Sequence, residues 1–124
     1  MNKKDIEGWL EDYRNAIRSM DTERWVGRFA EDATVEDPVG GPVHKGREQL
    51  VKFFNGVKKF SKLLDMRAEF TVITPPEAVV KFAVCNTTQK GFEVKFEGVG
   101  HYKFNEDGKM IKMRAFWDPA SLGK

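Results

Sequence analysis

The chain predicts an α+β fold, and two observations carry the prediction. Apolar residues recur at helical spacing through the first half, and from about Leu64 onward they alternate with a period close to two. The order of these segments adds a third observation. Helices followed by a run of strands imply helices packed on one face of a mostly antiparallel sheet.

The first helix is expected from about residue 4 to 19, with Ile6, Trp9, Leu10, Tyr13, Ile17 and Met20 on its buried face. Tyr13 lies between Trp9 and Ile17. Met20-Asp21-Thr22-Glu23 reads as a break and a new N-terminus capped by Asp21 or Thr22, opening a short helix whose Trp25, Val26 and Phe29 face inward. A third helix opens at Gly46-Arg47-Glu48 and carries Leu50, Val51, Phe53, Phe54, Val57 and Phe60 as its stripe.

Strands follow. Phe70 and Val72 alternate with Glu69 and Thr71, Thr74-Pro75-Pro76-Glu77 is a turn, and Val80, Phe82 and Val84 mark the next strand. From 92 to 104 the pattern is clearest: Phe92, Val94, Phe96, Gly98, Gly100, Tyr102 and Phe104 share one face, while Glu93, Lys95, Glu97, His101 and Lys103 share the other. Asn105-Glu106-Asp107-Gly108 is a hairpin turn, and Met110 to Trp117 returns with Ile111, Met113, Ala115 and Trp117 on one face. The glycines at 98 and 100 suit a bend, and a curved sheet closed over three helices encloses a cone-shaped interior.

Composition narrows the function. A chain of 124 residues fits one domain, 1–124, and its 10 Phe, 3 Trp and 5 Met predict a bulky, soft interior. The 21 basic and 19 acidic residues are scattered, which argues against a nucleic-acid surface. No apolar run is long enough for a membrane span, the N-terminus has no apolar signal core, and a single cysteine, Cys85, fits a reducing compartment, so cytoplasm is expected. His44 and His101 with one cysteine make no metal site, and His44 reads as a loop or helix-entry residue.

One stretch places a carboxylate where chemistry can use it: Ala33-Thr34-Val35-Glu36-Asp37-Pro38-Val39-Gly40-Gly41-Pro42. Strand alternation sends Val35 and Asp37 to one side and Glu36 to the other, so a core-facing Val35 turns Asp37 inward. Pro38 keeps Asp37 extended, and Val-Gly-Gly-Pro ends the strand at once. Asp37 then sits at the mouth of an apolar interior into which Tyr13 and Trp117 also point. Taken alone, Asp37 reads as a turn residue and Tyr13 as a core residue. Their pairing across one interior raises both.

The run Phe29-Ala30-Glu31-Asp32-Ala33-Thr34-Val35-Glu36-Asp37-Pro38-Val39-Gly40, then His44 to Leu50, and the C-terminal Tyr102 to Ile111 with Ala115-Phe116-Trp117, resemble the bacterial ketosteroid isomerases over almost the whole chain. The wider strand-and-turn signature is similar to the nuclear transport factor two and polyketide cyclase superfamily. The resemblance implies the cone-shaped cystatin-like or nuclear transport factor two-like fold, no cofactor and no metal, a small apolar substrate, and a homodimer through the sheet's second face at Val99, His101 and Phe116.

It also implies roles. Asp37 would remove a proton beside a ketone and return it to another carbon, Tyr13 would donate to the developing oxyanion, and Trp117, Phe54, Val57, Phe82, Val84, Tyr102 and Gly100 would form the substrate wall. One departure stands out: the family's second oxyanion donor falls at Gly100, which has no side chain. Loss of one such donor lowers a rate by about a hundred- to a thousandfold. Tyr102, inward and two residues along, is either a packed aromatic or a substitute donor, with packing the expectation. Phe29 and Phe54 stand where some members place tyrosines that support the catalytic tyrosine. The alternatives are a polyketide cyclase- or dehydratase-like enzyme using the same Asp37, and a non-catalytic module binding a small apolar ligand.

Overall fold

The computed structural model describes residues 1–120. Helix α1 (Lys3–Ser19) begins with a reciprocal cap: Asn2 Oδ1 accepts the Asp5 N–H at 2.8 Å and Asp5 Oδ2 accepts the Asn2 N–H at 2.9 Å. Ile6, Trp9, Leu10, Tyr13, Ala16 and Ile17 are its buried stripe. Met20 does not continue that stripe. It ends the helix in the left-handed conformation (φ 58°) and is half-buried.

Asp21 caps α2 (Thr22–Val26) by accepting the Arg24 N–H at 3.1 Å. The helix stops at Val26 because Gly27, a poor helix former, follows. Phe29 therefore belongs to strand β1 (Phe29–Glu36) and not to the helix, although it is buried as the spacing predicts. His44 is likewise not in a loop: Val43–Lys45 forms a short strand β2 antiparallel to β1, with His44 opposite Val35. Helix α3 (Gly46–Phe60) follows, its first residue at φ +82° where glycine is favoured.

The remaining strands are β3 (Ser61–Thr74), β4 (Glu77–Thr88), β5 (Glu93–Phe104) and β6 (Met110–Phe116). Together with β1 and β2 they form one sheet in the order β2-β1-β6-β5-β4-β3, with β1 and β6 parallel and every other pair antiparallel. Helices on one face of this mixed sheet bury a single core running from Ile6 to Ala115.

Three strand details differ from the periodicity. β3 starts at Ser61, directly from the helix, and not near Leu64. It is an edge strand with a register shift between Ala68 and Phe70, which leaves Phe70 and Val72 exposed. In β6 the fully buried residue is Met110, with Ile111 half-buried, because the β5/β6 register shifts between Lys103 and Phe104 and moves the phase by one residue. Phe92 is exposed just before β5, and Trp117 lies just past β6. The outer sheet face carries exposed Val79, Val99 and Phe116. Among the described residues no helix is long and apolar enough to cross a membrane.

Candidate active site

Asp37 is held by what surrounds it in sequence. Val35 is fully buried, and alternation along β1 turns Asp37 to the same side. The turn after it is fastened to β6 by the Val39 N–H on the Ala115 carbonyl (2.8 Å) and closed by the Gly41 N–H on the Pro38 carbonyl (3.0 Å). Glu36, facing away from the cavity, holds the same turn from outside: its Oε1 accepts Arg114 Nε at 2.9 Å and its Oε2 accepts the Gly40 N–H at 3.1 Å. These contacts, Arg114 first, lower the Glu36 pKa, and Gly40 adopts φ +96° to make its bond. Glu36 supports the loop without forming a carboxylate pair with Asp37.

The Asp37 carboxyl accepts the Trp117 indole N–H through Oδ1 at 2.5 Å. The residue as a whole is half-buried, yet burial of the carboxyl is the largest influence and raises its pKa; the Trp117 N–H and His44 work in the opposite direction. His44 itself packs its ring on Phe53, centroids 4.7 Å apart.

Tyr13 reaches the same cavity from α1. Its ring stacks on Trp9 (5.3 Å, 16°) and meets Tyr102 edge-on (5.7 Å, 73°). Burial holds its hydroxyl well above the ordinary phenol pKa, Tyr102 and Asp37 add to this, and Trp25 opposes it. Burial, then Asp37, also raises the Tyr102 pKa. Both phenols therefore stay protonated at neutral pH and keep an O–H that can donate.

Gly100 explains where the Tyr102 hydroxyl goes. A Cβ on residue 100 would lie 2.5 Å from Tyr102 Oη and 2.8 Å from two of its ring carbons. The Tyr102 phenol thus folds back over Gly100 and fills the space that a side chain there would take. Gly98 is similarly crowded, since a Cβ would meet Phe82 Cζ at 2.7 Å.

These groups share a cavity of about 470 Å³, within the range of small-molecule sites. Tyr13, Asp37, Tyr102 and Trp117 line it, with Val57, Phe82 and Val84 as predicted wall residues. Two predicted wall residues are corrected. Phe54 faces the core, where it stacks on Trp25 (4.9 Å, 18°), because α3 turns its neighbour Phe53 to the cavity instead. Gly100 is covered by Tyr102 and does not form the wall. Sequence reasoning turned Trp25 inward but did not bring it into the surroundings of Tyr13. It also missed Ser61 and Asn86, which line the cavity. Asn86 did carry a signal, since it continues the inward phase of Val80, Phe82 and Val84 as a polar residue.

Among the described residues no group of three His, Cys, Asp or Glu side chains is placed to hold a metal ion. Among the described residues the ionisable groups on the cavity wall are Asp37, Tyr13 and Tyr102. The arrangement offers one carboxylate for proton transfer and two phenols for a nearby oxygen that becomes negative.

Known proteins resemble the chain in sequence and fold. The model of the SnoaL-like domain matches residues 10–113. A steroid Delta-isomerase from Nocardioides simplex is 30% identical over 122 residues, covering 95% of this chain and 94% of the relative. Two solved structures share the fold. The epoxide hydrolase/cyclase-like enzyme SalBIII superposes with a TM-score of 0.85 at 24% identity, covering 96% of this chain and 95% of its own. RV0760c from Mycobacterium tuberculosis, in complex with estradiol-17beta-hemisuccinate, superposes with a TM-score of 0.83 at 23% identity, covering 94% and 95%.

Proposed function

The chain belongs to the SnoaL-like domain family and is related to a steroid Delta-isomerase over nearly its whole length, and on that premise we propose that it moves a carbon–carbon double bond in an apolar, steroid-like ketone by proton transfer. The observation that carries the reading is the convergence of one carboxylate and two phenols on a single apolar cavity.

Asp37 is the base. Trp117 occupies Oδ1, which leaves Oδ2 to take a proton from the carbon beside the ketone. Electrons from that C–H bond move toward the carbonyl, whose oxygen becomes negative. Tyr13 donates a hydrogen bond to that oxygen, and Tyr102, with its hydroxyl over Gly100, supplies the second donor. Asp37 then returns the proton two carbons further along, and the double bond ends in conjugation with the ketone. A carboxylate shielded from water is a stronger base than a solvated one, and donors fixed in advance favour charge that appears only in the transition state. No cofactor enters this scheme. Two copies pairing through Val99 and Phe116 complete the reading, with sedimentation at micromolar concentration as its check.

The test is isomerisation of a β,γ-unsaturated 3-ketosteroid, followed at the absorbance of the conjugated enone. Turnover by the native chain, lost in folded Asp37→Asn and Tyr13→Phe, is expected. A folded native chain with no turnover above buffer would discard the isomerase and favour a cyclase or a binding module.

A further inference from the structure

The cavity carries two polar side chains that the proton transfer leaves unused. Ser61, at the start of β3, is 1% exposed, and Asn86, on β4, is 7% exposed; both line the cavity wall. Ser61 Oγ and Asn86 Oδ1 are buried without a hydrogen-bond partner among the described residues. Such groups are rare in native folds and weaken them, so each needs a reason.

Their position is fixed by the backbone. Gln89 Nε2 donates to the carbonyls of Ser61 (3.1 Å) and Lys58 (2.9 Å), and the Gln89 N–H donates to the Phe60 carbonyl (3.0 Å). Ser61 stands opposite Thr88 and Leu64 opposite Asn86, so Ser61 and Asn86 are near neighbours across β3 and β4. They are far from the proposed chemistry. Gly100, under the Tyr102 hydroxyl, pairs with Val80, and Asn86 lies six residues further along β4, about 20 Å of extended strand. The wall between, including Phe82, Val84 and Phe96, is apolar.

We propose that Ser61 and Asn86 form a distal subsite for a hydroxyl group at the end of an elongated apolar ligand, opposite the carbonyl held by Tyr13 and Tyr102. The orientation of the ligand rests on the isomerase reading; the subsite itself does not. A hydroxyl fits because it donates to Asn86 Oδ1 while accepting from the Ser61 hydroxyl. A carbonyl, which cannot donate, would leave Asn86 Oδ1 without a partner. A carboxylate would set negative charge against Asn86 Oδ1, with no cationic side chain among the described residues of the cavity wall to balance it.

The experiment compares two product-like probes, a 17β-hydroxy-4-ene-3-ketosteroid and its 17-deoxy counterpart, by quenching of tryptophan fluorescence in the full chain. The native chain is expected to prefer the hydroxylated probe by about tenfold. In Ser61→Ala and in Asn86→Leu the preference falls to about twofold or less, while binding of the 17-deoxy probe is unchanged or tighter. Unliganded, both variants melt at or above the native temperature, since an unpartnered buried polar group is removed. Ser61→Ala keeps the test available if Asn86→Leu does not fold. Equal affinities in the native chain, or variants that keep the preference, overturn the subsite even where isomerisation is observed. A preference lost in the variants upholds the subsite even where isomerisation is absent. Binding of neither probe overturns both readings.

Discussion

The two ends of the cavity treat buried polar groups in opposite ways. At one end Asp37 accepts the Trp117 indole N–H and the Tyr13 ring is held between Trp9 and Tyr102, while Glu36 and Arg114 fasten the turn from outside. At the other end Ser61 Oγ and Asn86 Oδ1 have no partner among the described residues. On the proposed reading the difference separates chemistry from recognition. Groups that move a proton need fixed positions before the substrate arrives, whereas groups that recognise a substrate gain most when the ligand is their first partner.

The largest effect is expected where the first end is broken. Asp37→Asn keeps an acceptor for Trp117 and removes the base, so turnover should fall by at least about a hundredfold. The same change should stabilise the fold at neutral pH. Burial raises the Asp37 pKa, so folding takes up a proton and stability falls as pH rises from the unfolded pKa through the folded one. Thermal melts of Asp37→Asn should therefore exceed the native ones above that window and match them below it.

The donors come next. Tyr13→Phe should lower kcat by about a hundred- to a thousandfold, with little change in binding of a saturated ligand. Tyr102→Phe should cost at least about tenfold in kcat, as expected for a second donor; an unchanged kcat would make Tyr102 a packed aromatic. The distal end should respond differently. Ser61→Ala should raise KM for a hydroxylated substrate about fivefold and leave kcat alone, which separates recognition from chemistry. The smallest effect belongs to Glu36→Gln, which weakens the clamp on the turn without touching the cavity. A loss of a few-fold in kcat with an unchanged melting temperature is expected, since a solvent-screened ion pair adds little to stability.

The same two ends differ in how far they could be read from the sequence. Asp37 was legible because Val35, Pro38 and the double glycine fix its face locally, and Tyr13 because its helical phase is set by Trp9 and Ile17. The α+β order followed from the two periodicities, and the nuclear transport factor two-like fold only from the resemblance. Register shifts were not legible: the phase of Ile111 depends on a bulge between Lys103 and Phe104, and the exposure of Phe70 on β3 being an edge strand. Phe54 and Phe53 are adjacent on one stripe and both pack on Trp25, so which of them reaches the cavity is set by the tertiary packing of α3 and not by the spacing. Ser61 follows a helix directly and reads as its end, and its proximity to Asn86 exists only through the β3/β4 pairing.

The most direct measurement follows the Asp37 carboxyl itself. Its titration by carbon-13 NMR in the native chain should be set beside the pH dependence of kcat/KM for the β,γ-unsaturated 3-ketosteroid. The carboxyl should titrate above the ordinary aspartate range, and kcat/KM should rise with pH at the same midpoint as the carboxylate forms, with no alkaline fall from the two raised phenols. A rate that ignores pH across the carboxyl's titration, or a carboxyl that titrates like one in water, would contradict Asp37 as the base.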